Sequence, residues 1–295
     1  VLPKKKSHKQ KVAAPGGRLY EIGILSYTLQ YGKSAGPYYN GILSSILEAI
    51  ESEGYSNRIH IRYIIGDFSK ELKNLDALLI LGKLDIDPQS LLIKGINNVI
   101  TIDYKIDGAN FDAVVVDFKE AIRLAFEAFN RRKVSDIYYI GSSSQVSQFG
   151  QDKKLIKEDL RTSEFRSTLA AAGESLKDRI WLAKDFTVES GYSSTKDLLK
   201  TVPNPGAILY GSGEMAIGGY KALQENGLSI GSDVLVISID DMEFANYMHP
   251  PLTSISINIE DIGKAVVFDL IARLNGRSFP LTLNPSVKLI PRKSC

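Results

Sequence analysis

Cysteine is almost missing from this 295-residue chain: the single one is Cys295, the last residue. One cysteine excludes an intrachain disulfide and a cysteine-based metal site. Histidine is scarce too. His8, His60 and His249 stand far apart, with no His/Cys/carboxylate spacing of a metal centre. No uninterrupted apolar run reaches about 18 residues, so no membrane span is expected. The opening VLPKKKSHKQK is basic but lacks the apolar core of a signal peptide. A nucleophile elbow, a G-x-G-x-x-G fingerprint and a P-loop lysine are all absent. The expectation is therefore no catalytic residue, no metal and no cofactor, in a protein that is not an enzyme. The cysteine usage fits a cytoplasmic protein, although periplasmic proteins also often lack the residue.

What is present is the material of a globular core. Hydrophobic residues make up 44% of the chain and charged ones 24%, a composition that supports one large or two medium domains at this length. Six of the 36 basic groups fall in residues 1–18, which hold no acid, leaving 30 against 34 acidic groups in the rest. The body is thus no evident nucleic-acid binder, and attraction to phosphate resides in the leading arm. That arm ends at the breaker Ala13-Ala14-Pro15-Gly16-Gly17.

Beyond the arm, short apolar runs alternate with amphipathic ones. Strands are expected at 20–27, 58–65, 77–81, 98–103, 113–116, 136–141, 180–183, 207–210 and 234–239, with edge strands after 280. Helices are expected from Pro37 to Gly54, over 118–133, before Gly173, from Val188, after Ser212 and over 259–276. SSSQVSQFG, 142–150, reads as a polar loop. Alternating strands and helices argue α/β architecture with parallel sheets. The strand count is about twice that of one doubly wound domain, so two lobes are expected, divided near residue 134.

In such sheets ligands sit at the carboxyl ends of the strands. The βαβ unit 205–257 places Ser212 and Asp240 there. Gly211-Ser212-Gly213 is either a phosphate-cradling turn or a tight strand-to-helix turn that brings backbone close to a ligand. Of Asp240-Asp241, one accepts hydrogen bonds from a polar ligand and the other caps the next helix, or the pair is catalytic. Arg161, four residues before Phe165, either reaches the strand ends or is a solvated surface residue. Phe186 either stacks on a sugar face or anchors its helix. Tyr27, Tyr31, Tyr38 and Tyr39 crowd the first strand-end loop and suit a polar aromatic cleft.

The run MAIGGYKALQENGLSIGSDVLVISIDDMEFANYMHPPLTSI resembles the C-terminal signature of the lactose and galactose repressor family of bacterial transcription regulators. PYYNGILSSILEAIESEGY, DALLILG, VITIDY and LRTSEF agree with it, and the likeness spans roughly 19–292. It implies a periplasmic-binding-protein-like fold, two Rossmann-like lobes joined by three crossovers with an effector between them. The implied lobes are 19–133 with 259–280, and 134–258 with 281–295, after a linker at 1–18. By position, Arg161 matches an arginine that contacts effector hydroxyls, Asp240 an acidic effector ligand, and Phe186 an aromatic that packs on the effector. From the first lobe the likeness implies Tyr27, Thr28, Tyr38 or Tyr39, and the stretch Phe118 to Glu120, with Glu120 as its polar member. Ser212-Gly213 stands where the family has Asn-Asp or Ser-Asp, so a side-chain acceptor is missing. Neither half of the family's helix-turn-helix occurs, which implies a core separated from its DNA-binding head. The implied partners are a sugar-like effector, operator DNA through that head, and a second copy of the chain, with helix 38–53 and the strand from Arg58 at the dimer contact. The alternative is a solute-binding protein of a sugar transporter, which shares the fold.

Overall fold

The computed structural model describes residues 18–26, 37–65, 71–93, 95–106, 108–148 and 154–295. Two six-stranded sheets account for most of the strands. In the first, β1 (Tyr20–Ser26), β2 (Ile59–Tyr63), β3 (Ala77–Leu81), β5 (Val99–Ile102), β6 (Asp112–Val114) and β14 (Thr282–Leu283) lie in the order β14-β6-β5-β3-β1-β2, every pair parallel. In the second, β7 (Ile137–Ser142), β10 (Ile180–Ala183), β11 (Ala207–Tyr210), β12 (Leu235–Asp240), β13 (Thr253–Ile257) and β15 (Val287–Ile290) lie in the order β10-β7-β11-β12-β13-β15. Only β15 runs antiparallel to its neighbour. The first five strands of each lobe follow the same order, second-first-third-fourth-fifth, so the lobes are structural copies that the sequence does not reveal as a repeat.

These runs become central strands because they are apolar on both faces. β3 is ALLIL and β5 VITI, buried throughout, as a sheet covered by helices on both sides requires. The covering helices are amphipathic. In lobe one, α1 (Pro37–Ser52) packs on α7 (Ile259–Leu274), with Ile42, Ile46 and Ile50 facing Ile262, Val266 and Leu270 in one core. In lobe two, α5 (Val188–Thr201) crosses α6 (Gly213–Glu225) closely enough that small residues are needed at the contact. A Cβ on Gly218 would stand 1.9 Å from the Val188 carbonyl oxygen, and one on Gly191 would stand 2.1 Å from the Met215 carbonyl oxygen.

Three features differ from the sequence expectation. The helix α3 (Phe118–Arg131) covers the sheet of lobe two, not lobe one. Its apolar face, with Ala121, Ile122, Ala125 and Phe129, joins the core on that side, and Phe126 lies 5.3 Å from Phe165 of α4 (Leu160–Ala171). The first crossover therefore falls before Phe118 rather than at 133, since amphipathicity marks a buried face without saying which sheet it covers. Likewise β14 joins the first sheet, so the last crossover follows Leu283 instead of 280. Finally, the described part of SSSQVSQFG is not all loop. Ser144–Gln148 forms β8, antiparallel to β9 (Lys154–Lys157), and its other edge pairs with β4 (Leu84–Asp85) of lobe one. This three-stranded sheet stitches the lobes together by main-chain bonds, Ser147 N donating to Lys83 O over 3.0 Å.

The last helix of lobe one is fixed to its sheet by charge as well as packing. Asp112, fully buried at the start of β6, accepts from Arg273, from Arg277 and from the Leu281 amide. Burying a carboxylate is tolerable only with such full satisfaction.

Gly218→Ala is expected to destabilise the protein by about 1–3 kcal/mol, because the methyl group meets backbone that cannot yield without moving a helix. Urea denaturation checks this. A midpoint equal to that of the parent would show that α5 and α6 have freedom to separate.

Candidate functional site

The carboxyl ends of both sheets face one cleft of about 730 Å³. Its walls are the residues that close or follow the strands. Leu81, Gly82 and Lys83 end β3, and Asp103 follows β5. Ser143 and Ser144 follow β7, Lys184, Asp185 and Phe186 follow β10, Ser212 follows β11, and Asp240 closes β12. Tyr38 and Tyr39 from the start of α1, Phe118 from the start of α3, and Arg161 from the start of α4 complete the wall. A cleft of this size, with apolar surfaces and a few convergent polar groups, is what a small-molecule site looks like.

Arg161 is held on three sides. Its Nε donates to Asp159 Oδ1 at 2.6 Å, its Nη2 to Asp159 Oδ2 at 3.0 Å, and its Nη1 to the Gly211 carbonyl at 2.7 Å. The guanidinium lies over the Phe186 ring at 4.0 Å and the Phe118 ring at 5.2 Å. A planar cation between two aromatic faces, its fork gripped by a carboxylate, is immobilised with the remaining N–H groups free to donate. The surface alternative for Arg161 is thus excluded: its side chain is 14% exposed.

Asp159 is the N-cap of α4, accepts from the Arg161 amide, and is 1% exposed. Its Oδ2 also accepts from Ser144 Oγ at 2.6 Å and from Lys83 Nζ at 3.0 Å. Burial alone would raise this carboxyl, but the charge and hydrogen bonds of Arg161, with Lys83 and Ser144, outweigh it and hold it well below the usual carboxylate range. Lys83 belongs to lobe one and Asp159 to lobe two, so this ion pair spans the cleft.

Opposite, Asp103 accepts from the Tyr38 hydroxyl at 3.0 Å and the Tyr39 hydroxyl at 2.8 Å. Burial and the Asp103 charge raise both phenols well above their usual range, so both remain protonated donors. Asp240 accepts from the Gly213 amide with both oxygens, at 3.1 and 3.2 Å. Burial pushes its carboxyl up to about 7, against the pull of that amide and of Arg161. Asp103 and Asp240 follow equivalent fourth strands of the two lobes, and both sit at positive φ, +67° and +105°. That is an uncommon conformation for a non-glycine residue, and it clusters at functional sites.

Of the residues singled out from sequence, Arg161, Asp240, Phe186, Ser212, Tyr38 and Tyr39 line the cleft. Tyr27 and Thr28 lie outside the described residues. Glu120 does not line the cleft: its carboxylate pairs with Arg123 along the exposed side of α3, one turn away. Its neighbour Phe118 is the residue of that turn that faces inward. Asp241 caps no helix. It pairs with Arg292 at 2.6 Å, and the 3-10 turn Glu243–Asn246 starts at Met242 with no side-chain cap. Ser212 does cap α6, its Oγ accepting from the Met215 amide at 3.3 Å. A Cβ on Gly213 would stand 2.8 Å from Asp240 Oδ1 and 3.0 Å from the Phe244 ring, so this glycine makes room for the Asp240 carboxylate. Sequence reasoning missed Asp159, Lys83 and Asp103. The first had a legible signal, an acid directly ahead of a helix, while the other two are located only by the sheet. Among the described residues no cluster of His, Cys, Asp or Glu is arranged to hold a metal ion, and no helix is long and apolar enough to cross a membrane.

Comparison with known proteins follows the same line. A family model described as periplasmic binding protein-like domain matches residues 126–295. The HTH-type transcriptional repressor MelR of Bacillus subtilis (strain 168) is 28% identical over 300 residues, covering 100% of this chain and 83% of that protein. The lactose operon repressor of Rhizobium radiobacter is 40% identical over 106 residues, 36% of this chain and 94% of that one. Among solved structures, the transcriptional regulator CelR–cellobiose complex superposes with a TM-score of 0.74 at 21% identity, covering 96% of this chain and 86% of that chain. The lac repressor dimer bound to operator and the anti-inducer ONPF gives 0.73 at 21%, with 95% of each chain covered. At such identities the structures speak for the fold alone.

Because Asp240 binds its proton more tightly in the folded chain than an unfolded aspartate does, its contribution to stability falls as pH rises from about 4 through about 7. Asp240→Asn removes that penalty while keeping an acceptor for the Gly213 amide. The variant is expected to melt several degrees above the parent near about pH 8 and to lose the advantage near about pH 5. A melting difference independent of pH would show that this carboxylate is not strained by burial.

Proposed function

The chain belongs to the periplasmic-binding-protein-like family, in its lactose/galactose-repressor branch, and from that premise we propose that it is the effector-binding and dimerisation core of a sugar-responsive transcriptional repressor. The observation that carries this reading is the arrangement around Arg161. A fixed, aromatic-sandwiched guanidinium faces a cleft that also presents Asp103, Asp240 and several hydroxyls. Pyranose rings offer just those complements, vicinal hydroxyls that both donate and accept at their edges and apolar C–H faces that pack on aromatics. The relatives are transcriptional regulators and include a lactose operon repressor, which supports the same reading over an enzyme or a transporter component.

The mechanism follows from the lobes. Effector held between Asp103 on one side and Arg161 and Asp240 on the other favours the closed cleft. A ligand shifts such an equilibrium only by its difference in affinity for the two states. Closure moves lobe one, the lobe that the N-terminal segment enters through β1. In a homodimer this changes the separation of two helix-turn-helix heads ahead of that strand, and with it the fit to paired operator half-sites. The dimer contact proposed is the outer side of β2, an edge strand with Tyr63 exposed, together with Leu47 of α1. As a DNA regulator the protein acts in the cytoplasm.

A panel of sugars tested by thermal shift should contain a ligand that raises the melting temperature, about 2.7 kcal/mol of stabilisation at a hundredfold excess over Kd. Arg161→Lys keeps the charge but loses the fork, and is expected to weaken that ligand by about tenfold or more. Unchanged affinity in this variant would remove Arg161 from the site, and no response to any sugar would overturn the sugar reading.

A further inference from the structure

The cleft contains the usual means of binding an anion, and the chain already occupies several of them. Helix N-termini are ready-made phosphate sites because their first amides point outward with the positive end of the dipole. Three of the helices that start at this cleft are closed in this way. At α6 the Gly213 amide is taken by both oxygens of Asp240 and the Met215 amide by Ser212 Oγ. At α4 the Arg161 amide is taken by Asp159, and at α3 the Glu120 amide is taken by Asp117. The side-chain cations are similarly engaged. Arg161 is gripped by Asp159 through two nitrogens, and Lys83 donates to the same carboxylate and to Ser144. Lys184 also lines the wall, its charge offset only by the neighbouring Asp185, whose carboxylate accepts from Thr187 and Ser190.

The remaining charge is negative. Among the described residues Asp103 accepts from phenols and Asp240 from amides, and Glu214, next to Gly213, adds a further carboxylate to the wall. Within a partly desolvated cleft, like charges a few ångströms apart repel far more strongly than in water. A phosphate would have to displace a carboxylate from each of these helix amides, and would meet the spare N–H groups of Arg161 and Lys184 only among the carboxylates of the wall. A neutral hydroxyl donates to these carboxylates and accepts from the spare N–H groups of Arg161.

We infer that this cleft selects an uncharged, hydroxyl-rich effector and rejects the phosphorylated form of the same sugar, through Asp159 and Asp240 acting as built-in occupants of its anion sites. This rests on the sugar reading above and deepens it.

Calorimetric titration of the full chain with lactose and cellobiose, with their 6-phosphates, and with inorganic phosphate tests the inference. A neutral disaccharide is expected to bind, with its phosphorylated partner weaker by at least about tenfold, about 1.4 kcal/mol, and inorganic phosphate without effect. Because burial raises the Asp240 carboxyl to about 7, the titrations are run at about pH 8.5, where it is ionised; there Asp240→Asn, which removes one of the charges, should narrow that ratio. Binding of a 6-phosphate as tight as its neutral partner, saturable binding of inorganic phosphate, or an unchanged ratio in Asp240→Asn each overturns the inference while leaving the sugar reading intact. Failure of every sugar of both classes overturns the sugar reading, and this inference with it.

Discussion

The carboxylate of Asp159 is the junction on which the cleft depends. Two oxygens, almost wholly removed from water, receive the amide and fork of Arg161, the hydroxyl of Ser144 and the ammonium of Lys83. An isolated charge at such a place is untenable, and losing one partner of a buried pair typically costs about 3–5 kcal/mol. The arrangement is tolerable because two cations and two neutral donors share the desolvation cost. Its consequence is geometric: the guanidinium cannot rotate, so the face it presents to the cleft exists before any ligand arrives. Because Lys83 lies at the β4–β8 seam that stitches the lobes, the same carboxylate also ties the first lobe to this wall.

A second constraint is topological. Each lobe winds its strands in the same order, and each delivers an aspartate at positive φ just where its fourth strand ends. The main chain turns sharply there because it leaves the sheet directly toward the cleft. Only Asn, Asp and Gly adopt that turn readily, and of these only Asp adds a charge. Two lobes closing face to face thus bring two acceptors into opposition, with Tyr38 and Tyr39 steering one and the Gly213 amide the other. The cleft's acceptor-rich character is a product of duplication of a strand-end device rather than of a local motif.

That origin explains what could be read from the sequence and what could not. Strands such as ALLIL and VITI and amphipathic helices such as 118–131 follow from local pattern, and all were legible. Arg161, Phe186, Asp240, Tyr38 and Tyr39 were legible as candidates because each sits beside a predicted element boundary or matches a recognisable run. Asp103 and Lys83 were not, since nothing nearby in sequence says that β3 and β5 end at the same cleft as β7 and β12. The placement of α3 on lobe two failed for the same reason. Burial periodicity identifies a face, whereas its partner is set by contacts with Phe165 and with strands more than a hundred residues away. The β8 strand was hidden by composition. Its two serines and two glutamines read as loop, and only pairing with β4 and β9 gives them a ladder.

Gly213 is the clearest case of a local departure with a non-local cause. In sequence it stands where the resembling family carries an acid, and it read as an acceptor lost. In space the acceptor has moved instead of vanishing. Asp240 turns inward and sets its carboxylate against the Gly213 amide, in the volume a side chain at 213 would need. An acid at 213 would push the Asp240 carboxylate from its present place, because the Cβ would meet Oδ1 at 2.8 Å and bring a second negative charge to a group that burial already drives toward protonation. The glycine and the strained aspartate therefore form one adaptation. It keeps an acidic acceptor at this corner of the cleft, and it closes the amide of a helix end that would otherwise be open to an anion.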